Sequence, residues 1–147
     1  MKIAVACDHG GYRLKNVLIQ EMKNQGYEVV DFGTYNEDSC DYPDYAVKAA
    51  RAVASGDCEK GVVVCGTGIG VSITCNKVHG IRCALCHDVF SAKATRAHND
   101  ANMLAMGQRV IGEGLAVEIL NAWLNTEFEG GRHVQRIEKM MNIEGEE

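Results

Sequence analysis

The chain reads as an α/β protein built on one parallel sheet with helices covering both faces. Five short apolar runs alternate strictly with segments of helical period, and glycines or a proline mark most of the junctions. Strands that are apolar along their whole length are buried on both sides, and right-handed crossovers place the intervening helices above and below the sheet. With 147 residues, 46% of them hydrophobic and 24% charged, the chain is expected to form a single domain over residues 1–147, which excludes disorder and low-complexity structure.

The elements follow in order. Ile3 to Cys7 is the first strand, and Asp8-His9-Gly10-Gly11 is a polar turn into a helix with Leu14, Val17, Leu18 and Met22 at steps of three and four. Gly26 closes that helix and Tyr27 to Phe32 alternates as the second strand. Pro43 suits a first helical turn, with Ala46, Val47, Ala50 and Val53 at helical spacing and Gly56 as the stop. Gly61 to Cys65 is the third strand. A glycine loop then opens a helix from Ile69 to Val78, capped by Gly80. Ile81 to Cys86 is the fourth strand, Asp88 caps a helix running to His98, and Met103 to Met106 is the fifth strand. Leu115, Ile119, Ala122 and Trp123 mark a further helix, and His133 to Ile143 a last one.

Composition narrows the partners. Fifteen Lys and Arg against 20 Asp and Glu give a net charge of −5, so no overall field attracts nucleic acid or an anionic membrane. Any anionic ligand must meet locally placed cations. No apolar run approaches the ~18 residues of a membrane span, and the first residues lead straight into a strand rather than a signal peptide, so the expected location is the cytoplasm. The seven cysteines are an odd set scattered through apolar segments, expected to be free thiols and mostly small core residues.

In open α/β sheets ligands bind beyond the carboxyl ends of the strands. There the sequence places Asp8-His9-Gly10-Gly11, Gly66-Thr67-Gly68-Ile69-Gly70, His87-Asp88 and Gly107-Gln108-Arg109. A glycine loop between a strand and a helix turns successive N–H groups toward an anion. The third glycine of a dinucleotide fingerprint would fall at Val71 and no P-loop lysine is present, so the choice lies between an anion cradle of another kind and a tight turn without a ligand. Cys65 ends the strand before this loop, beside a helix N-terminus, where a thiolate base or nucleophile is well supported. Cys83-Ala84-Leu85-Cys86-His87 matches the haem-attachment pattern, but residues three apart on a strand face opposite sides of the sheet, and no haem is expected.

Arg132 and Arg136, four apart, place two guanidinium forks on one helical face, suited to a phosphate or to surface ion pairs with Glu129 or Glu138. Arg109 adds a cation on the ligand edge. His98-Asn99-Asp100 ends a helix whose dipole favours an imidazolium, with no obvious local partner for His98. No two-histidine metal spacing stands out, and neither metal nor cofactor is expected. A thiolate base, an oxyanion cradle, the Thr67 hydroxyl and phosphate-binding arginines together suit proton abstraction next to a carbonyl, the chemistry of sugar-phosphate isomerisation.

Five motifs, Cys7-Asp8-His9-Gly10-Gly11, Asp41-Tyr42-Pro43-Asp44, Cys65-Gly66-Thr67-Gly68-Ile69-Gly70, Arg96-Ala97-His98-Asn99-Asp100 and Gly130-Gly131-Arg132-His133, resemble ribose-5-phosphate isomerase type B over residues 1 to 137. The resemblance implies a three-layer Rossmann-like fold with a five-stranded parallel sheet, a homodimer or dimer of dimers with shared active sites, and exchange of ribose 5-phosphate with ribulose 5-phosphate. It implies that Cys65 moves the proton between C2 and C1, that Thr67 assists at O1 and O2, that the Gly66 to Gly70 amides, Ile69 included, hold the enediolate, and that His98 helps open the furanose ring. Asp8 and His9 would contact the sugar, Asn99 the substrate backbone, and Arg109, Arg132 and Arg136 the phosphate. His98, Asn99 and Arg109 would come from the neighbouring subunit. Some members of the wider family carry a glutamate base where this chain has Val71, which leaves Cys65 as the base here. Six-carbon substrates, galactose 6-phosphate or allose 6-phosphate, a non-catalytic sugar-phosphate-binding module and a thiol redox protein are the alternatives.

Overall fold

The structure, a computed structural model, describes residues 1–146. Its strands are β1 (Lys2–Cys7), β2 (Glu28–Asp31), β3 (Lys60–Cys65), β4 (Cys83–Leu85) and β5 (Met103–Gly107). The helices are α1 (Tyr12–Asn24), α2 (Tyr42–Ala54), α3 (Ile69–Asn76), α4 (Val89–Asn99), α5 (Glu113–Leu124) and α6 (Arg132–Asn142). All strand pairs are parallel, in the order β2-β1-β3-β5-β4. The three-layer α/β architecture is the one the alternation of strands and helices predicts.

Successive strand residues enter opposite layers. Ile3, Val5, Val62, Val64, Leu104 and Met106 pack under α1, α4 and α5 with Leu14, Leu18, Ile119 and Trp123. Ala4, Ala6, Val63, Cys65 and Ala105 face α2 and α3, where Ala46, Ala49 and Ala50 let the backbone of α2 come close. Each large side chain buried in this way contributes about 1.5–3 kcal/mol. Caps fall where the sequence puts them: Asp88 accepts the Ser91 N–H at 2.6 Å, and Gly26, Gly56 and Gly80 all have positive φ.

The fourth strand is shorter than the apolar run suggests. It lies at the sheet edge, and side-chain amides take the place of a ladder at its start: Arg82 N–H donates to Asn102 Oδ1 at 2.8 Å and Cys83 N–H to Asn76 Oδ1 at 2.7 Å. Cys83 and Cys86 fall in opposite layers, which splits the haem-like pattern as expected. All seven cysteines are free. Burial pushes the Cys7 thiol up to about 12 and the Cys86 thiol up to about 11, and raises that of Cys58; a hydrogen bond with Cys75 and burial raise that of Cys83.

One residue departs from the amphipathic reading of α1. Lys15 is fully buried, and its ammonium donates to Asp31 Oδ1 at 2.8 Å, Asp31 Oδ2 at 3.0 Å and the Thr34 carbonyl at 2.6 Å. It fastens α1 to the end of β2 and to the start of the loop that leads to α2. No helix among the described residues is long and apolar enough to cross a membrane.

Candidate active site

The chain leaves β1, adds β2 on one side, and returns to place β3 on the other, so the loops after β1 and β3 diverge at the carboxyl edge and open a crevice there. Asp8-His9-Gly10-Gly11 and Gly66-Thr67-Gly68-Ile69-Gly70 are those loops. They approach closely: a Cβ at Gly11 would stand 2.5 Å from the Val64 carbonyl oxygen, and one at Gly10 would stand 3.2 Å from the Gly66 nitrogen. Asp8, Cys65, Gly66, Thr67, Ile69 and Gly70, with Tyr42 and Ile73, line a pocket of about 430 Å³. A larger groove of about 910 Å³ between α4 and α5 is lined by Lys93, Glu118, Asn121 and Glu127 among others. It lies away from the strand ends and holds no cysteine, histidine or glycine loop, so chemistry rather than size selects the first pocket.

Within the β3 loop Gly68 takes φ +79°, and its N–H donates to Cys65 Sγ at 3.1 Å. The Ile69 N–H is held by Thr67 Oγ1 at 3.2 Å. That leaves the Gly66, Thr67 and Gly70 N–H groups without a protein acceptor among the described residues, three donors beside a cysteine sulfur at the start of α3. Thr67 is exposed and lines the same pocket as Cys65. Asp8 is nearly buried, and its Oδ1 accepts the Gly10 N–H at 2.9 Å. His9 Nδ1 accepts the Cys40 N–H at 3.2 Å, which leaves Nε2 to carry the proton of the neutral ring.

Arg109 belongs to this edge of its own chain. Its N–H bonds the Gly66 carbonyl at 3.0 Å, and its Cδ, Nε and Cζ lie 3.5–3.8 Å from where a Gly66 Cβ would be. The turn after β5 thus sets Arg109 against the glycine loop of its own chain. His87, at the end of β4, accepts the Gly107 N–H on Nε2 at 2.9 Å, and burial holds its pKa below the usual imidazole range.

The other expected site residues gather elsewhere. Asn102, between α4 and β5, accepts the Gly61 N–H at the start of β3, so the end of α4 lies at the amino edge of the sheet. The length of β5 separates that edge from Cys65, about 15 Å. His98 and Asn99 stand there, exposed, and α6 brings Arg132 and Arg136 to the same corner. Neither arginine makes an ion pair among the described residues, so the alternative of surface pairs with Glu129 or Glu138 is not met.

His98 does have local partners, contrary to expectation. Its ring stacks on that of His133 with centroids 4.6 Å apart, and Glu129 Oε1 lies 3.9 Å from His98 Nε2 and 3.6 Å from His133 Nε2. The backbone sets the cluster, since Glu129 N–H donates to the Ala97 carbonyl at 3.0 Å. Separation of about thirty positions along the chain hides this trio from any motif.

Residues 3–140 match the family described as Ribose/Galactose Isomerase. The chain belongs to that family. It is 48% identical over 143 residues to ribose-5-phosphate isomerase B of Escherichia coli (strain K12), covering 97% of this chain and 96% of that one. A Clostridium thermocellum ribose-5-phosphate isomerase B structure superposes with a TM-score of 0.98 at 52% identity, covering 99% of both chains. The Mycoplasma genitalium enzyme with bound ribulose-5-phosphate superposes at 0.95 with 36% identity, covering 99% of this chain and 97% of that one. Membership makes the chain an enzyme, a sugar-phosphate isomerase of the aldose–ketose kind.

Proposed function

We propose that this isomerase exchanges ribose 5-phosphate and ribulose 5-phosphate through an enediolate, with Cys65 as the base. The observation that carries the reading is Cys65 Sγ beside the unpartnered Gly66, Thr67 and Gly70 amides in the crevice between β1 and β3. A thiolate at Cys65 takes the proton from C2 of the open-chain aldose. The C2–H electrons form the C1–C2 double bond as the carbonyl electrons move onto O1, and the amides meet that developing charge. The Cys65 thiol then returns the proton to C1, and the Thr67 hydroxyl moves a proton between O1 and O2. Asp8 and His9 hold sugar hydroxyls.

His98, Asn99, Arg132 and Arg136 serve the site of a second copy, His98 in ring opening and the arginines, with Arg109, on the phosphate. The separation of the two edges supports this division, because one chain cannot bring both groups to one five-carbon substrate. Exposed apolar residues beside the loop, Ile69 at 51%, Ile73 at 55%, Leu85 at 39% and Phe90 at 80%, support a homodimer that covers them, related by a two-fold axis. A reducing compartment such as the cytoplasm suits a base that must stay a free thiol.

A coupled assay with ribose 5-phosphate, run beside galactose 6-phosphate and allose 6-phosphate, tests the reading. Turnover should be highest with the five-carbon sugar, and Cys65→Ala should lose it by about a hundredfold or more while still binding substrate. Binding without turnover in the native protein would instead mark a binding module, and Cys65→Ala with more than a tenth of native turnover would remove Cys65 as the base.

A further inference from the structure

The His98–Glu129–His133 cluster offers a chemistry that isomerisation does not use. One ligand atom from each residue lies within 4.8 Å of the other two, and both imidazole Nε2 atoms approach the same carboxylate oxygen, at 3.9 and 3.6 Å. A tetrahedral ion bound at about 2.0–2.1 Å holds its ligand atoms about 3.3–3.4 Å apart. The two nitrogen–oxygen separations exceed that by a few tenths of an ångström.

The parts that must move are free to do so. The His98 and Glu129 side chains are 46% and 58% exposed, whereas the His133 side chain, at 9%, is held by packing. The two rings lie within 19° of parallel and turn their Nε2 edges to Glu129, so a tilt of the exposed His98 ring aims both lone pairs at one point. Backbone hydrogen bonds from Glu129 N–H to Ala97 and from His133 N–H to Gly130 keep the three residues in register without any metal. Two imidazoles and one carboxylate suit Zn²⁺ and its neighbours in the transition series, whereas Mg²⁺ and Ca²⁺ seek oxygen ligands.

We propose that His98, Glu129 and His133 form a site for a divalent transition metal of the Zn²⁺ type, and that occupation withdraws His98 from the isomerase reaction. The coordination half stands on geometry alone. The inhibitory half rests on the proposed role of His98 in ring opening.

Chelator-treated protein titrated with Co²⁺ tests the first half, because Co²⁺ reports its ligands in its spectrum. One ion per chain is expected, with visible bands of a low-coordinate nitrogen and oxygen site and no thiolate charge-transfer band in the near ultraviolet. Glu129→Ala, an exposed position where folding is checked by circular dichroism, should weaken binding by more than about tenfold, since even the loss of an outer-shell partner commonly costs that much. Cys65→Ala should leave the spectrum unchanged. A thiolate band, undiminished binding in Glu129→Ala, or no binding in the native protein would overturn the site. Zn²⁺ should also slow isomerisation in the native protein, reversibly on chelation, and less so in Glu129→Ala. Full activity with the Co²⁺ or Zn²⁺ site filled would overturn the inhibitory half and count against His98 in catalysis, while leaving the coordination intact.

Discussion

Gly107 ends β5 directly beneath the loop that carries Thr67, and an ideal Cβ there would stand 2.5 Å from Thr67 C, 2.6 Å from Thr67 O and 2.7 Å from Thr67 Cα. Favourable carbon contacts begin near about 3.5 Å. Gly107→Ala therefore drives strand and loop apart by about 1 Å, and the obstacle is backbone rather than a side chain that can swing away. Neither partner can yield without loss, since Gly107 N–H is held by His87 and Gln108 N–H donates to the Cys65 carbonyl at 2.9 Å. A displacement of this size in the cradle is expected to lower kcat/KM about a hundredfold. The overpacking should cost about 1–3 kcal/mol of stability. Gly114, in the first turn of α5, supplies the control: a Cβ there meets nothing within 4 Å, and Gly114→Ala should gain about 0.5–1 kcal/mol with activity unchanged. Urea unfolding and the coupled isomerase assay read both quantities on the three proteins. A Gly107→Ala protein within about twofold of native activity and equal in stability would refute the claim that the β5–loop contact sets the cradle.

Lys15→Met leaves Asp31 and the Thr34 carbonyl without their cation and should cost about 3 kcal/mol in urea unfolding; in combination with Asp31→Asn the loss should be less than additive. Arg132→Ala and Arg136→Ala should each raise KM, by about 1.5–3 kcal/mol of charged hydrogen bonding with kcat little changed, and lysine should rescue poorly; native KM in both would send the phosphate elsewhere. The native fold uses neutral His87, whose pKa burial holds below its ordinary 6.5. Its contribution to stability is present in full above that value and is lost as the pH falls through it toward the lowered native pKa. His87→Gln should flatten that acid-side fall in the urea midpoint; an unchanged slope would contradict the assignment.

Much of the fold was legible because it is written in local pattern. The apolar runs at Ile3 to Cys7 and Gly61 to Cys65 bury both faces, and Gly26, Gly56 and Gly80 turn corners that their positive φ confirms. The Cys65 loop was legible for the same reason, since strand, glycines and helix start are contiguous. Strand order was not, because it follows from which crossover packs on which face. Lys15 stood in plain view between Leu14 and Leu18, yet a lysine in an amphipathic helix is ordinarily solvated, and its burial depends on Asp31 and Thr34 from elsewhere. The one available signal was its place on the same stripe as Leu18 and Met22. Glu129 and His133 meet His98 through packing of α6 on α4, which no spacing encodes. Arg109 is legible on the ligand edge from its position after β5, whereas its packing on Gly66 depends on the β5 turn meeting the β3 loop, which no local pattern encodes.

Mixed dimers test the division of the site between two chains. Cys65→Ala and His98→Asn homodimers should each be inactive, one lacking the base and the other the ring-opening group. After equal amounts are unfolded, mixed and refolded, about half of the dimers are hybrids, and each hybrid carries one site with both defects and one with neither. A site divided between two chains predicts return of about a quarter of native activity on ribose 5-phosphate, against each parent refolded alone. No recovery, with hybrid dimers demonstrated by mass spectrometry, would contradict it and place His98 outside the neighbour's site.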